Sequence, residues 1–166
     1  MSEPNYPHLD KNKPYPLAGI LVIDFTHVLS GPTCSRMLAD AGARVIHVER
    51  KTGDDTRHMG PYLADGSSEY FRICNTGKES IALDLKNAQD HALAEKMIAK
   101  ADVVVENFRP GVMTRLGFDP EEMVKKYPKL IFASISGFGQ YGPFEAGETE
   151  RDAARREVFE EVGLKP

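Results

Sequence analysis

The chain has little that would anchor it, cross-link it or carry it to nucleic acid. Two cysteines, Cys34 and Cys74, stand among 166 residues. They make neither a disulfide framework nor a metal-type spacing, so a reducing, cytoplasmic setting is expected. No apolar run is long enough to span a bilayer; GILVI and ADVVV are the longest read here. Basic residues are not in excess: 21 Lys+Arg stand against 25 Asp+Glu, net −4, which argues against general nucleic-acid binding. The opening SEPNYPHLDKNKPYP is polar and proline-rich, neither a signal peptide nor an anchor. Residues 1–15 are expected to be a mobile segment. No internal repeat or low-complexity tract is present.

What is there is an alternation of strand and helix. Ile20–Phe25 is a short Ile/Val run, as in a strand buried on both faces. Thr26–Gly31 follows as a loop. Pro32 then sits where a first helical residue tolerates proline. Cys34, Met37, Leu38 and Ala41 recur at helical spacing and predict one apolar face. Gly42 reads as a left-handed C-cap, and Val45–Val48 as the next strand. Together these make a βαβ unit.

Further along, Lys51–Ser68 is too long for a passive connection. Glu69–Ile73 reads as extended, Cys74–Lys78 as a turn, and Ser80–Leu85 as a strand. Asn87 is placed to cap a helix with the stripe Leu93, Ala94, Met97, Ile98 and Ala101. Asp102–Glu106 is a buried strand. A short helix over Val112–Leu116, a helix start at Asp119–Glu122 and a strand at Leu130–Ile135 follow. The pattern predicts an α/β fold with an open, largely parallel, Rossmann-like sheet and flanking helices, ending in a charged C-terminal helix over Glu148–Val162.

In such sheets ligands bind beyond the carboxyl ends of the strands. His27 and Ser30 follow the first strand, Arg50 and Lys51 the second, and Asn107, Phe108 and Arg109 the DVVVE strand. Lys86 and Arg115 are close in sequence to these ends. Basic groups there suit a phosphorylated ligand, and Phe108 could stack on a flat ring. The first loop, HVLSGP, lacks G-x-G-x-x-G, so a nicotinamide or flavin dinucleotide is disfavoured. Each of these residues also has a plain reading as a loop or surface group.

The stretches PLAGILVIDFTHVLSGPTCSRMLADAGARVIHVER, GDDTR, SIALDLK, ADVVVENFRPGVMTRLGF and LIFASISGFGQYGP resemble the family III CoA-transferases. That family includes formyl-CoA transferase and the carnitine CoA-transferase. The likeness runs in order from residue 16 to 143. It implies coenzyme A as ligand, with an acyl-CoA and a small carboxylic acid as substrates. It further implies that Arg50 and the Lys86 region flank the nucleotide. Leu83 and Phe108 would pack near adenine or the pantetheine arm, and Asn107, Arg109 and Arg115 would line the same groove. His27 and Val28 in the first loop join that set. Family members form interlocked homodimers of longer chains. Their reaction passes the acyl group to an aspartate nucleophile soon after the SGFGQxGP loop. Here that region reads FEAGETERDAARRE, where Asp152 is the nearest, one residue off and preceded by Arg151 rather than an aromatic. Turnover by this chain alone is not expected.

A second likeness begins at Gly142. GPFEAGETERDAARREVFEEVGL fits G-x5-E-x7-R-E-U-x-E-E-x-G-U, with U aliphatic, and resembles a Nudix box. Glu157 and Glu161 are four apart and Glu160 adjoins them, a set that could hold Mg²⁺ for hydrolysis of nucleoside diphosphates linked to another group. The expected organisation is a flexible segment over 1–15, an incomplete CoA-transferase-like domain over 16–143, and a Nudix-box-like helical tail over 144–166. Three readings stay open: a CoA-transferase portion, a Mg²⁺-dependent hydrolase, and a folded non-catalytic fragment.

Overall fold

The computed structural model describes residues 15–137 and Gly139. Its strands are β1 (Leu21–Asp24), β2 (Arg44–Glu49), β3 (Glu79–Ala82), β4 (Val103–Glu106) and β5 (Ile131–Ser134). Between them lie α1 (Ser30–Asp40), α2 (Glu69–Asn75), α3 (Ala88–Ile98), α4 (Val112–Arg115) and α5 (Pro120–Lys126). A 3₁₀ turn spans Asp55–His58 in the long β2–α2 connection. All strand pairs are parallel, in the order β3-β2-β1-β4-β5. The sheet is thus the open α/β arrangement expected from the alternation of elements.

Two hydrophobic layers sandwich the sheet. On one face Ile23, Phe25, Val48, Leu83 and Val104 meet Ala94 and Ile98 of α3, Met113 of α4, Phe118, and Met123 of α5. Val22, Val45 and Val105 meet Ala39 and Leu38 of α1. At about 25 cal/mol per Å² of apolar area buried, such layers supply most of the drive to fold.

Local signals explain most boundaries. Asn87 accepts from the backbone N–H groups of Gln89 and Asp90, and Asp119 from those of Glu121 and Glu122. Both satisfy donors that a helix start leaves without partners. Gly42 has φ +101°, and a Cβ there would lie 2.3 Å from Tyr15 Cβ. Only glycine fits that turn.

Three expectations are corrected. Glu69–Ile73 is not extended but the body of α2, because the Ser68 hydroxyl accepts from Phe71 N and starts a helix. On α1 the buried residues are Gly31, Pro32, Ser35 and Ala39, while Met37 is 66% exposed. The helix leans on the sheet mainly through its small side chains, which allow close approach, with Leu38 partly buried beside them and Met37 facing outward. Pro32 is the third helical residue, not the first; any of the first four N–H groups can be spared there.

Candidate functional site

Sheet order reverses between β1 and β4. From β1 the chain moves through β2 to β3, then returns to place β4 on the other flank. The loops leaving β1 and β4 therefore diverge, and a crevice opens at their ends. Asn107 bridges it: its Oδ1 accepts from His27 N at 2.8 Å and its Nδ2 donates to His27 O at 2.8 Å. The His27 ring stacks on Phe108, centroids 5.3 Å apart. Val28 has φ +68°, uncommon for a β-branched residue, and is exposed in this loop. Gly31 sits under the turn with no room for a side chain; a Cβ would lie 2.4 Å from Thr26 Cβ.

Two adjoining clefts occupy the strand ends. The larger, about 510 Å³, has Leu83, Leu85, Phe108 and Leu116 as apolar walls and Arg50, Lys51 and Lys86 as cations. The smaller, about 250 Å³, lies between His27, Phe108, Arg50 and Gly53–Asp55. Arg50, Phe25, Val48, Glu49 and Phe108 border both. Arg50 donates to Asp55 Oδ1 at 2.6 Å. Lys51 donates to Ala82 O at 3.1 Å and pairs with Asp90 at 2.9 Å.

The residues expected from sequence divide accordingly. Arg50, Leu83, Lys86 and Phe108 line the larger cleft, and His27 the smaller. Asn107 acts from behind, as the clamp between loops. Val28, Arg109 and Arg115 border neither cleft; Arg115 closes α4 immediately before Leu116, which does. Asp152, Glu157, Glu160 and Glu161 lie outside the described residues. Among the described residues no group of His, Cys, Asp and Glu is arranged to hold a metal ion.

Beneath the clefts is a polar cluster that sequence reasoning missed. Asp24, fully buried, accepts through Oδ1 from the Thr26 backbone N–H and hydroxyl. Its Oδ2 accepts from Ser35 Oγ at 2.7 Å and Lys78 Nζ at 3.0 Å, and lies 3.1 Å from His47 Nδ1. Burial alone would raise the Asp24 pKa. The His47 hydrogen bond and the Lys78 charge outweigh it and hold the carboxyl well below the usual range. Burial pushes Lys78 down from its ordinary value, against the pull of Asp24.

A second buried carboxylate anchors the long loop. Glu49 accepts from Asp54 N at 2.9 Å, from Arg57 Nε at 2.6 Å and from Ser80 Oγ. Burial opposes its ionisation, but the Arg57 and Ser80 hydrogen bonds win, and its pKa falls to about 2. Arg57 in turn lies over the Phe71 ring, 3.7 Å from its centroid. The signal was present in sequence: Asp24, His47 and Glu49 interrupt runs that otherwise read as wholly apolar strands. Asp24 and His47 face each other in register, which no sequence pattern announces.

An open parallel sheet with a cationic, partly aromatic cleft at its strand ends is a Rossmann-like α/β architecture. Residues 17–150 match CoA-transferase family III, and the chain belongs to that family. It is 57% identical over 129 residues to an acetyl-CoA:oxalate CoA-transferase from Acetobacter aceti, covering 77% of this chain and 33% of the relative. It is 51% identical over 130 residues to a formyl-CoA:oxalate CoA-transferase from Afipia carboxidovorans, covering 78% and 30%. Among solved structures, a CAIB/BAIF family protein from Brucella suis superposes with TM-score 0.73 at 41% identity, over 79% of this chain and 36% of that one. The chain thus spans about a third of the length of these relatives. The family match runs past Gly142–Phe144, where the second sequence likeness begins. Among the described residues no helix is long and apolar enough to cross a membrane.

Proposed function

We propose that this chain is the CoA-binding portion of a family III CoA-transferase, an enzyme that moves CoA between an acyl-CoA and a free carboxylate. The observation that carries this reading is the meeting of Arg50, Lys86, Leu83 and Phe108 in one cleft at the switch point. Arg50 and Lys86 would face phosphate charge. Leu83 and Phe108 would receive the adenine ring or the pantetheine arm. His27 lines the smaller cleft and Asn107 holds its loop from behind, while Val28, Arg109 and Arg115 would join the site only as the family resemblance implies. Residues 16–143 act as one unit in this proposal, in the cytoplasm. The names of the two relatives suggest acetyl-CoA or formyl-CoA as donor and oxalate as acceptor.

Binding rather than turnover is the expected activity of this chain by itself, since Asp152, the acid nearest the family's nucleophile in sequence, is one residue off and follows Arg151 rather than an aromatic. The test is thermal unfolding with added CoA. At a hundredfold excess over Kd the midpoint should rise by roughly 5–10 °C. The double substitution Arg50→Ala, Lys86→Ala should abolish most of that rise. An unchanged midpoint in the unsubstituted chain would refute the reading.

A further inference from the structure

Of the three cations in the larger cleft, two are already engaged. Lys51 is held by Asp90 and the Ala82 carbonyl. Arg50 is held by Asp55. Lys86 alone has no side-chain partner among the described residues.

The Arg50–Asp55 pair has an unequal construction. Asp55 rides on the 3₁₀ turn, and the turn is fastened at both sides. Glu49 takes the Asp54 N–H and the Arg57 guanidinium, and the Asp54 side chain accepts from Thr56 N at 2.7 Å. Arg50 is the first residue after β2, with its guanidinium at the end of a flexible stem. Both side chains are well exposed, 65% and 59%, so the pair itself is weak and exchanges easily. Asp55 borders only the smaller cleft, whereas Arg50 borders both. A phosphate accepts from a guanidinium through two oxygens and carries more charge than a carboxylate.

We propose that Asp55 is an internal competitor for the ligand: it holds Arg50 towards the smaller cleft in the free protein and yields it to a phosphate group entering the larger one. This inference rests on the CoA reading for the identity of that phosphate. Asp55 therefore lowers the affinity of every anion that needs Arg50 by one common factor, set by how much of the free protein holds the pair closed.

The test is an NMR chemical-shift titration of the full chain, which reaches millimolar Kd. CoA and inorganic pyrophosphate are titrated separately into the unsubstituted chain, Asp55→Asn, Arg50→Ala and the double variant. Asp55→Asn should tighten CoA by about two- to fivefold, the range an exposed ion pair spans, and should change nothing when Arg50 is already alanine. Weaker or unchanged binding by Asp55→Asn overturns the proposal, as does equal tightening in the Arg50→Ala background. If pyrophosphate binds and responds to Asp55→Asn while CoA does not bind, the exchange stands and the CoA reading falls. If neither ligand binds the unsubstituted chain, both fall.

Discussion

Asp24 ties together four separate segments of the chain through one buried side chain. One carboxylate gathers the β1 turn, α1, β2 and the start of β3 through Thr26, Ser35, His47 and Lys78. Lys78 Nζ is as deeply buried as its partner and also donates to Pro32 O and Asn75 Oδ1. Removing the acid would strand a buried ammonium and leave a void beside it. Asp24→Ala should cost about 3–5 kcal/mol, seen as a large fall in the urea midpoint. A loss below about 1 kcal/mol would mean that the cluster is dispensable. Such residues are hard to read from sequence because a polar side chain in a strand looks like a solvent-facing position. Only the strand register and the covering helix show that Asp24, His47 and Glu49 point into the protein.

Among the elements, those that announced themselves by a cap or a buried run were legible. β1, β2 and β4 fall within a residue of their sequence boundaries, and α3 begins where Asn87 caps it but ends at Ile98, short of Ala101. The α3 stripe holds too: Ala94 and Ile98 are fully buried, though Leu93 at its margin is 42% exposed. Since Asn87 supplies two hydrogen bonds to the start of α3, Asn87→Ala should lower stability by about 1 kcal/mol. Asn87→Asp should restore it, a pairing readable by chemical denaturation. α2 escaped although Ser68 caps it, because a cap without an apolar stripe is a weak signal. α2 buries only Cys74 and Asn75, while Ile73 is 55% exposed, so no apolar period marks it. α1 misleads for the opposite reason. Its contact with the sheet runs through Gly31, Ser35 and Ala39, which hydrophobicity hardly registers, and its visible Met37 faces away. Of the candidate site, the strand-end residues were legible because topology puts them there in any such sheet. Which of them share a cleft depended on the shape of the long β2–α2 connection.

At the scale of the whole molecule, the buried carboxylates set an acid limit. The Glu49 pKa falls from an ordinary 4.5 to about 2, and that of Asp24 is lowered as well. The unfolded chain therefore takes up protons that the folded one refuses. Stability from these groups is full above about pH 5 and drains away as pH falls from there towards 2. For Glu49 that amounts to on the order of 3 kcal/mol. Urea midpoints measured from about pH 6 down to about pH 3 should decline, and Glu49→Gln should flatten the decline while lowering the plateau. A profile unaffected by Glu49→Gln would show that the carboxylate does not hold the loop. The two amide hydrogen bonds of Asn107 to the backbone of His27 add a property of a different kind. They pin the mouth of the crevice at a set width before anything enters it. A visiting molecule then loses its own freedom but need not order the wall that receives it, so weak individual contacts count in full. Recognition at this end of the sheet resembles entry into a finished socket rather than the closing of a hand.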